Sequence, residues 1–186
     1  MKNIYIIALF SFLNFSLVYG QEADSLKKKY NFELSFGQSL LFISNSKQVN
    51  LHEQEAVVLP TSSILFFAEF RQSKRLRVPI FFNVATESKQ FIVNNQLINE
   101  KTSPTFGTGA AFKLIQLKID DKSKVEMELA PLISFLVDSK DHVRVAPILA
   151  TRFRVMRGDN FVMYFGLSYS VGINALGLLY GTGTVF

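Results

Sequence analysis

Residues 125–155 read VEMELAPLISFLVDSKDHVRVAPILATRFRV, and the alternation of side chains along this stretch decides the fold. Apolar side chains occupy nearly every odd-numbered position on both sides of the short break at 139–141, whereas charged side chains fall on even-numbered positions. A period of two residues is typical of β-strands, in which successive side chains point to opposite faces of the sheet. The stretch therefore predicts two neighbouring strands and not helices.

The two strands form a predicted hairpin with complementary charges on one face. A turn centred on Lys140 places Glu126 opposite Arg154 and Glu128 opposite Arg152. Opposite charges that face each other across an antiparallel pair stabilise that pair. Because the other face of the hairpin is apolar at nearly every position, the stretch predicts the wall of a membrane barrel with these ion pairs in its lumen.

The same alternation continues through the rest of the chain from Tyr30 onward, with almost no helical periodicity. A tight turn at Ser73 sets Glu69 across from Arg77 as a further predicted lumen ion pair. The pattern blurs at 115–119, where we expect a bulge or a register change. The predicted strands lie at about 31–43, 63–72, 75–84, 105–120, 125–138, 143–155, 160–171 and 176–186.

The connections between these strands alternate in length. The long ones, at 44–61 and 85–104, fall at one end of the predicted sheet, and most short ones fall at the other. An even number of strands, short turns at one end and both termini on that same side are typical of transmembrane barrels. We therefore predict an all-β fold, an eight-stranded antiparallel up-and-down transmembrane β-barrel.

The N-terminal residues predict export. Lys2 gives a positive start, residues 4–18 are apolar, and the segment ends before a cleavage position near Gly20. This pattern is typical of a cleaved secretory signal peptide. We expect a signal peptide at 1–20, a short periplasmic lead-in at 21–30 and the barrel at 31–186.

Composition excludes several classes of function. The chain has no cysteine, which rules out disulfides, thiol catalysis and thiolate metal sites. Its net charge is +5, but no basic run is longer than the three lysines at 27–29. A nucleic-acid partner is therefore not expected, and no residue pattern indicates a metal or another cofactor.

The strand pattern of the whole predicted mature chain resembles the small eight-stranded outer-membrane barrels of Gram-negative bacteria, the OmpA- and OmpX-like group. The last strand, Tyr180-Gly181-Thr182-Gly183-Thr184-Val185-Phe186, resembles the signal by which barrel-assembly machinery recognises its clients. The resemblance implies a porin-like cell-envelope protein in the outer membrane, surrounded by outer-membrane lipids, with Tyr180 and Phe186 as the assembly signal. Members of this group range from structural to adhesive to enzymatic, so the fold does not fix the activity.

The inward-facing charges predict a lumen filled by polar side chains, because an eight-stranded barrel is only wide enough for its side chains to fill. We therefore expect a non-catalytic, structural or accessory membrane protein. A narrow cationic pore is an alternative, since seven of these charges are basic and four are acidic. The inward positions are Glu33, Glu69, Arg71, Arg75, Arg77, Lys113, Glu126, Glu128, Arg144, Arg152 and Arg154.

Two alternatives belong to other classes of protein. His142 is predicted at the outer rim beside Asp138, Ser139 and Asp141, so a lipid A-modifying enzyme is conceivable. The spacing of these residues is not that of the known lipid-modifying barrels, and we expect no enzyme. A soluble lipid-binding barrel would carry its apolar side chains inside, which the predicted ion pairs oppose.

The connection at 85–104 is long enough to suggest a function. It contains a predicted small hairpin that turns at Asn94-Asn95. Its apolar side chains either extend the barrel wall or contact another outer-membrane protein. They are Phe91, Ile92, Val93, Leu97 and Ile98.

Overall fold

The structure, a computed structural model, describes residues 32–137, 143–158 and 160–186. No helix in these ranges is long and apolar enough to cross a membrane. The predicted signal peptide, the lead-in and the turn around Lys140 lie outside the described residues. The strands are β1 (Phe32–Ile43), β2 (Ala56–Val58), β3 (Thr61–Arg71), β4 (Leu76–Ala85), β5 (Lys89–Val93), β6 (Gln96–Glu100), β7 (Thr105–Gly109), β8 (Ala111–Lys118), β9 (Ser123–Val137), β10 (Val143–Arg157), β11 (Phe161–Ser170) and β12 (Ala175–Val185).

Eight strand positions form a closed antiparallel ring. The strands β10, β11, β12, β1, β3, β4, β7 and β9 are hydrogen-bonded in this order, and the pairing of β9 with β10 closes the ring. Strand β8 follows β7 after a break at Ala110 and lies in the same position, between β4 and β9. Except for the pair of β1 with β12, which are the first and last strands, neighbours in the ring are consecutive ring strands along the chain. The predicted eight-stranded antiparallel up-and-down barrel is confirmed.

The two ends of the barrel differ in their connections. At the end that we call the turn end, short connections follow β3, β8 and β10, and the first and last described residues, Phe32 and Phe186, meet. The opposite end, the loop end, carries the connections that leave β1 and β4. There β2, β5 and β6 form a separate three-stranded sheet.

The hairpin of β5 and β6 confirms the small hairpin predicted within 85–104. Asn94 and Asn95 have φ angles of 49° and 63°, which a two-residue type I′ turn requires and asparagine tolerates. Strand β2, which the sequence pattern does not indicate, adds to this hairpin through its pairing with β5. The loop end is therefore a folded sheet and not only a pair of loops.

The side chains of the ring are oriented as the alternation predicts. Leu149, Phe161 and Phe165 point outward and are 51%, 45% and 52% exposed. Buried carboxylates and guanidinium groups of β1, β3, β9 and β10 point inward. The buried charged side chains of the ring are Glu33, Glu69, Glu126, Glu128, Arg152 and Arg154.

The length of the strands matches a bilayer. The shortest uninterrupted ring strands, β4 and β11, have 10 residues, and the longest, β9 and β10, have 15. A tilted transmembrane strand needs about 9–11 residues. Since the outer face is apolar and every strand edge is paired within the ring, the chain is a transmembrane β-barrel.

The register of the β9–β10 hairpin is the one expected from the sequence. Glu126 lies opposite Arg154, and Glu128 lies opposite Arg152. Strand β8 contains the irregularity that the sequence predicts at 115–119. The register shift lies between Lys113 and Ile115, one residue before the predicted range.

The predicted cross-strand pair of Glu69 with Arg77 is wrong. In the β3–β4 ladder Glu69 lies opposite Pro79, and Arg77 lies opposite Arg71. The ladder is displaced by two residues from the predicted one. Because a shift of two keeps every side chain on its face, Glu69 and Arg77 both still point into the barrel.

The turn between β3 and β4 explains this displacement. The backbone N–H groups of Gln72 and Ser73 both donate to the carbonyl oxygen of Leu76. The hydroxyl oxygen of Ser73 in turn accepts hydrogen bonds from the backbone N–H groups of Arg75 and Leu76. These bonds favour a four-residue connection, whereas the tight turn at Ser73 assumed a shorter one.

The outward orientation predicts a cost that depends on depth in the membrane. Phe165→Arg, at the middle of β11, should destabilise the folded barrel by about 2–4 kcal/mol, because the charge faces hydrocarbon. Val143→Arg, at the loop-end start of β10, should cost about 0–1 kcal/mol, because it lies near the interface. Urea unfolding in lipid vesicles, followed by circular dichroism, measures both free energies, and equal small costs would contradict the assigned membrane-facing surface.

Candidate functional site

The turn-end half of the barrel interior holds a network of buried charges. Period-two alternation on six strands directs these side chains into the lumen, where they meet in neighbouring inward rows. We call them the interior network. Its members are Glu33, Glu69, Arg77, Lys113, Glu126, Glu128, Arg152 and Arg154.

Arg154 joins three strands. One terminal nitrogen of its guanidinium group donates to Glu33 on β1. The other lies 2.9 Å from a carboxylate oxygen of Glu126 and 3.3 Å from one of Glu128, both on β9. The side chain of Arg154 is fully buried, so these carboxylates replace the water that would otherwise solvate its charge.

Arg152 joins a different set of strands. Its guanidinium group donates to both carboxylate oxygens of Glu69 on β3 and, at 2.7 Å, to Glu128 on β9. The guanidinium carbon lies 5.4 Å from the ring centre of Phe67 and 5.7 Å from that of Tyr164. Glu69, whose predicted cross-strand partner was Arg77, therefore pairs with Arg152 across the lumen.

Arg77 completes the network from β4. Its two terminal nitrogens donate to Glu128 at 2.6 Å and to Glu126 at 2.7 Å. Lys113 and Lys124 each approach Glu126 at 3.4 Å. Each of the four carboxylates of the interior network thus contacts at least one guanidinium group, as buried charges require.

Three of the basic residues predicted to face the lumen lie outside this network. Arg71 and Arg75 are exposed at the turn end, and Arg144 is exposed at the loop end. The excess of positive charge that favoured a cationic pore is therefore found at the two rims. Within the buried network, acids and bases are close to balanced.

The loop-end half of the interior is different in kind. A cavity of about 590 Å³ extends from Arg152 towards the loop-end segments 45–48 and 99–103. Its wall is mostly apolar. The principal apolar lining residues are Leu41, Leu65, Phe67, Phe81, Leu132, Ile148 and Leu179. The predicted filling by polar side chains therefore describes only the turn-end half of the barrel.

Glu100, the last residue of β6, connects the loop-end sheet to the segment after β1. It accepts hydrogen bonds from the Ser46 hydroxyl and from the backbone N–H groups of Lys47, at 2.9 Å, and Gln48, at 3.2 Å. The Lys89 ammonium lies 2.9 Å away. Burial favours the protonated acid, but these bonds outweigh it and hold the pKa of Glu100 below its usual value of 4.5.

The remaining predicted site residues lie on β12, at the turn end directly after it, and in the loop-end sheet. At the turn end, the Phe186 backbone N–H donates to Phe32. Further along β12, the Tyr180 hydroxyl bonds the Gln38 side chain at 2.6 Å. In the loop-end sheet, Phe91 and Val93 are buried, whereas Ile92 and Leu97 are exposed on the other face.

No constellation typical of an enzyme is assembled in the described ranges. His52 is exposed in the connection before β2, and His142 with its acidic neighbours lies outside those ranges. No cluster of three or more histidine and acidic side chains that could hold a metal ion occurs in the part of the chain that the structure describes.

The fold and interior define an eight-stranded transmembrane β-barrel of the outer-membrane type. No family model and no curated protein matches the chain. Among solved structures it is similar to a de novo designed transmembrane β-barrel, with 8% identity, a TM-score of 0.47 and coverage of 85% of this chain and 98% of that one. It is also similar to Neisserial surface protein A, with 11% identity, a TM-score of 0.44 and coverage of 83% of this chain and 97% of that one. A third similar structure is that of Ail, the attachment invasion locus protein of Yersinia pestis, in complex with the heparin analogue sucrose octasulfate. The identity is 10%, the TM-score is 0.42, and the coverage is 84% of this chain and 97% of that one.

The interior network predicts a large effect of removing its most buried cation. Arg154→Leu should destabilise the barrel by about 3–5 kcal/mol, because it leaves Glu33 without its guanidinium partner. The matched change Arg157→Leu, at the exposed end of the same strand, should cost less than about 0.5 kcal/mol. Urea unfolding in vesicles, followed by circular dichroism, compares the two, and equal costs would show that the network does not stabilise the fold.

The lowered pKa of Glu100 predicts that the loop-end sheet loosens in acid. Because the folded-state pKa lies below 4.5, the stabilisation is present above pH 4.5 and is lost as pH falls through the folded value. The rate of backbone amide hydrogen exchange in residues 89–100, corrected for the intrinsic effect of pH, should therefore rise as the pH falls below 4.5. Glu100→Gln should exchange faster already at neutral pH and should lack the transition, while an unchanged transition in this variant would assign it to another group.

Proposed function

We propose that this protein is an integral outer-membrane β-barrel with a non-catalytic, structural or accessory role. The observation that carries the proposal is the apolar outer face of a closed ring whose buried charges are paired inside. A closed antiparallel ring satisfies every strand edge and can therefore lie in hydrocarbon. Even-stranded barrels with short turns at one end are the outer-membrane form of this solution, and the N-terminal export signal pattern supports the same location.

The interior network supports a barrel that does not conduct ions. Its guanidinium groups and carboxylates connect β1, β3, β4, β9 and β10 across the lumen at the turn-end half. An ion on its way through would have to separate pairs that are buried and hydrogen-bonded, which is strongly unfavourable. The same pairs hold opposite walls of the barrel together, which suits a structural role.

The loop-end sheet supports an accessory role, because it offers a surface for another protein. Val57, Ile92 and Leu97 lie opposite one another on β2, β5 and β6 and form one row on one face. All three are exposed, Leu97 to 56%. An apolar row outside the ring, rimmed by polar side chains, is typical of a protein contact. We propose this row as the contact surface for a further outer-membrane protein.

Cell fractionation tests the location directly. The full chain, expressed in a Gram-negative host, should sediment with the outer membrane, resist extraction by carbonate and migrate faster in a gel without boiling than after boiling. Phe186→Ser should reduce the amount of barrel that is assembled, because the proposed assembly signal ends in an aromatic residue. The matched control is Phe161→Ser, which also removes an aromatic residue from the turn end but leaves the proposed assembly signal intact. Recovery of the wild-type chain in the soluble periplasmic fraction would overturn the proposal.

The same purified protein tests the non-conducting lumen. In a planar bilayer the wild-type barrel should give no stepwise conductance, because the interior network closes the turn-end half. Reproducible ion-selective steps that disappear in a variant of a network residue would overturn this part of the proposal and establish a pore.

A further inference from the structure

We propose that the cavity in the loop-end half of the barrel is a binding site for a single-chain amphiphile with an anionic headgroup, of the long-chain fatty acid class. The inference goes beyond the structural role proposed above and does not depend on it. The volume of about 590 Å³ falls within the range of about 300–1,000 Å³ that is typical of small-molecule sites. A barrel of eight strands is filled either by its own side chains or by one small ligand.

The cavity exists because small residues meet at one level of the wall. Ala130 on β9 lies opposite Ala150 on β10, Ala150 lies opposite Ser168 on β11, and Ser168 lies opposite Gly177 on β12. Four adjacent strands therefore carry small inward residues in a continuous row, and three of these residues, Ala130, Ala150 and Ser168, line the cavity. The next inward row towards the turn end contains Glu128 and Arg152, so the cavity begins where the interior network ends.

The wall of the cavity favours an apolar body. Leu65, Phe67, Phe81, Leu132 and Leu179 line it and are buried. The inner end of the cavity, which we call its floor, is formed by Arg152. Because this guanidinium group already donates to Glu69 and Glu128, the floor does not favour an anionic ligand. A hydrocarbon chain that enters as far as this floor exchanges water for apolar contacts along its whole length.

The mouth of the cavity favours an anionic headgroup. Among the residues that the structure describes, four of the five charged side chains that line its loop end are basic, and the fifth, Glu100, is bonded to Ser46, to backbone N–H groups and to Lys89. An excess of one sign of charge attracts the opposite sign and raises its local concentration. The basic residues at the mouth are Lys47, Lys89, Lys101 and Arg144.

The absence of tryptophan from the chain allows a single reporter to be placed on either side of one strand. Phe81→Trp puts the indole on the cavity wall, and Phe82→Trp puts it on the lipid-facing surface one residue away. Both variants are reconstituted in lipid nanodiscs and titrated with a brominated long-chain fatty acid, which quenches indole fluorescence on contact. Heat-modifiable gel migration shows whether each variant is folded, and the pair Leu132→Trp and Ile133→Trp repeats the comparison if Phe81→Trp is not.

A site in the cavity predicts two different titrations. Fluorescence of Phe81→Trp should fall saturably, at about one fatty acid per barrel, while the fatty acid is still dilute in the lipid. Fluorescence of Phe82→Trp should fall only in proportion to the fatty acid content of the bilayer. The unbrominated acid should compete with the first effect. Proportional quenching of both reporters would overturn the proposal, since it would describe contact with bulk lipid alone.

Variants of the cavity separate its body from its mouth. Ala150→Phe, in the Phe81→Trp background, should weaken binding by about tenfold or more, because its ring occupies the space of the hydrocarbon. The matched control is Leu149→Phe on the outer face, which should bind as the parent does. Equal binding by the two would overturn the proposal, and Ser168→Leu replaces Ala150→Phe if that variant does not fold.

The headgroup preference is tested by charge. Lys101→Glu should weaken binding of the fatty acid by roughly threefold, while Lys122→Glu, the same change at the turn end, should leave it unaltered. A brominated primary amine of the same chain length should bind the parent more weakly than the acid does. Equal binding of acid and amine would overturn the assignment of an anionic headgroup.

Discussion

The structure depends on the need to neutralise guanidinium groups inside a ring too narrow to hydrate them. Arg154 is fully buried, and it reaches Glu33, which is 121 residues away along the chain. Arg152 reaches Glu69, 83 residues away. A buried ion without a partner costs several kcal/mol. The fold is therefore stable only when β1, β3, β9 and β10 all have the registers that bring these charges into contact. The interior network therefore selects one closed ring among the pairings that alternation alone would allow.

The same constraint divides the interior into two halves. Charged side chains are long, and they fill the lumen wherever the sequence supplies them, which is the turn-end half. One level further, at Ala130 and Ala150, the inward positions change from long and charged to small. The network then serves as the floor of the space above it. Because the floor is already neutral, the character of that space is set by its apolar wall and by the basic mouth.

Local alternation explains why much of the fold was predictable. It assigns each side chain to a face without knowledge of its neighbours, so the eight strands and the outward Phe165 follow from the sequence. The β9–β10 register also follows, since opposite charges occur at equal distances from the turn. The β3–β4 register does not, because Ser73 fixes the length of the connection through its hydroxyl group, and a shift of two residues leaves the alternation unchanged.

What could not be predicted depends on contacts between strands that are distant in sequence. Nothing near Glu69 indicates Arg152 as its partner, and β2 has only three residues, too few for a period to be seen. The small residues at Ala130, Ala150, Ser168 and Gly177 are each unremarkable in the sequence. They become one row only after three registers are known, and the row is what leaves room in the lumen.

The position of Glu100 connects the loop-end sheet to the mouth of that lumen. Its hydrogen bonds hold the segment after β1 against β6, directly where the cavity ends. The face of the sheet that carries Phe91 is buried, while the face that carries Leu97 is exposed. One small sheet therefore borders the interior space on one side and offers an apolar row to the exterior on the other. Any contact made by that row acts on an element that also borders the entrance to the barrel, where Glu100 accepts hydrogen bonds from the segment after β1.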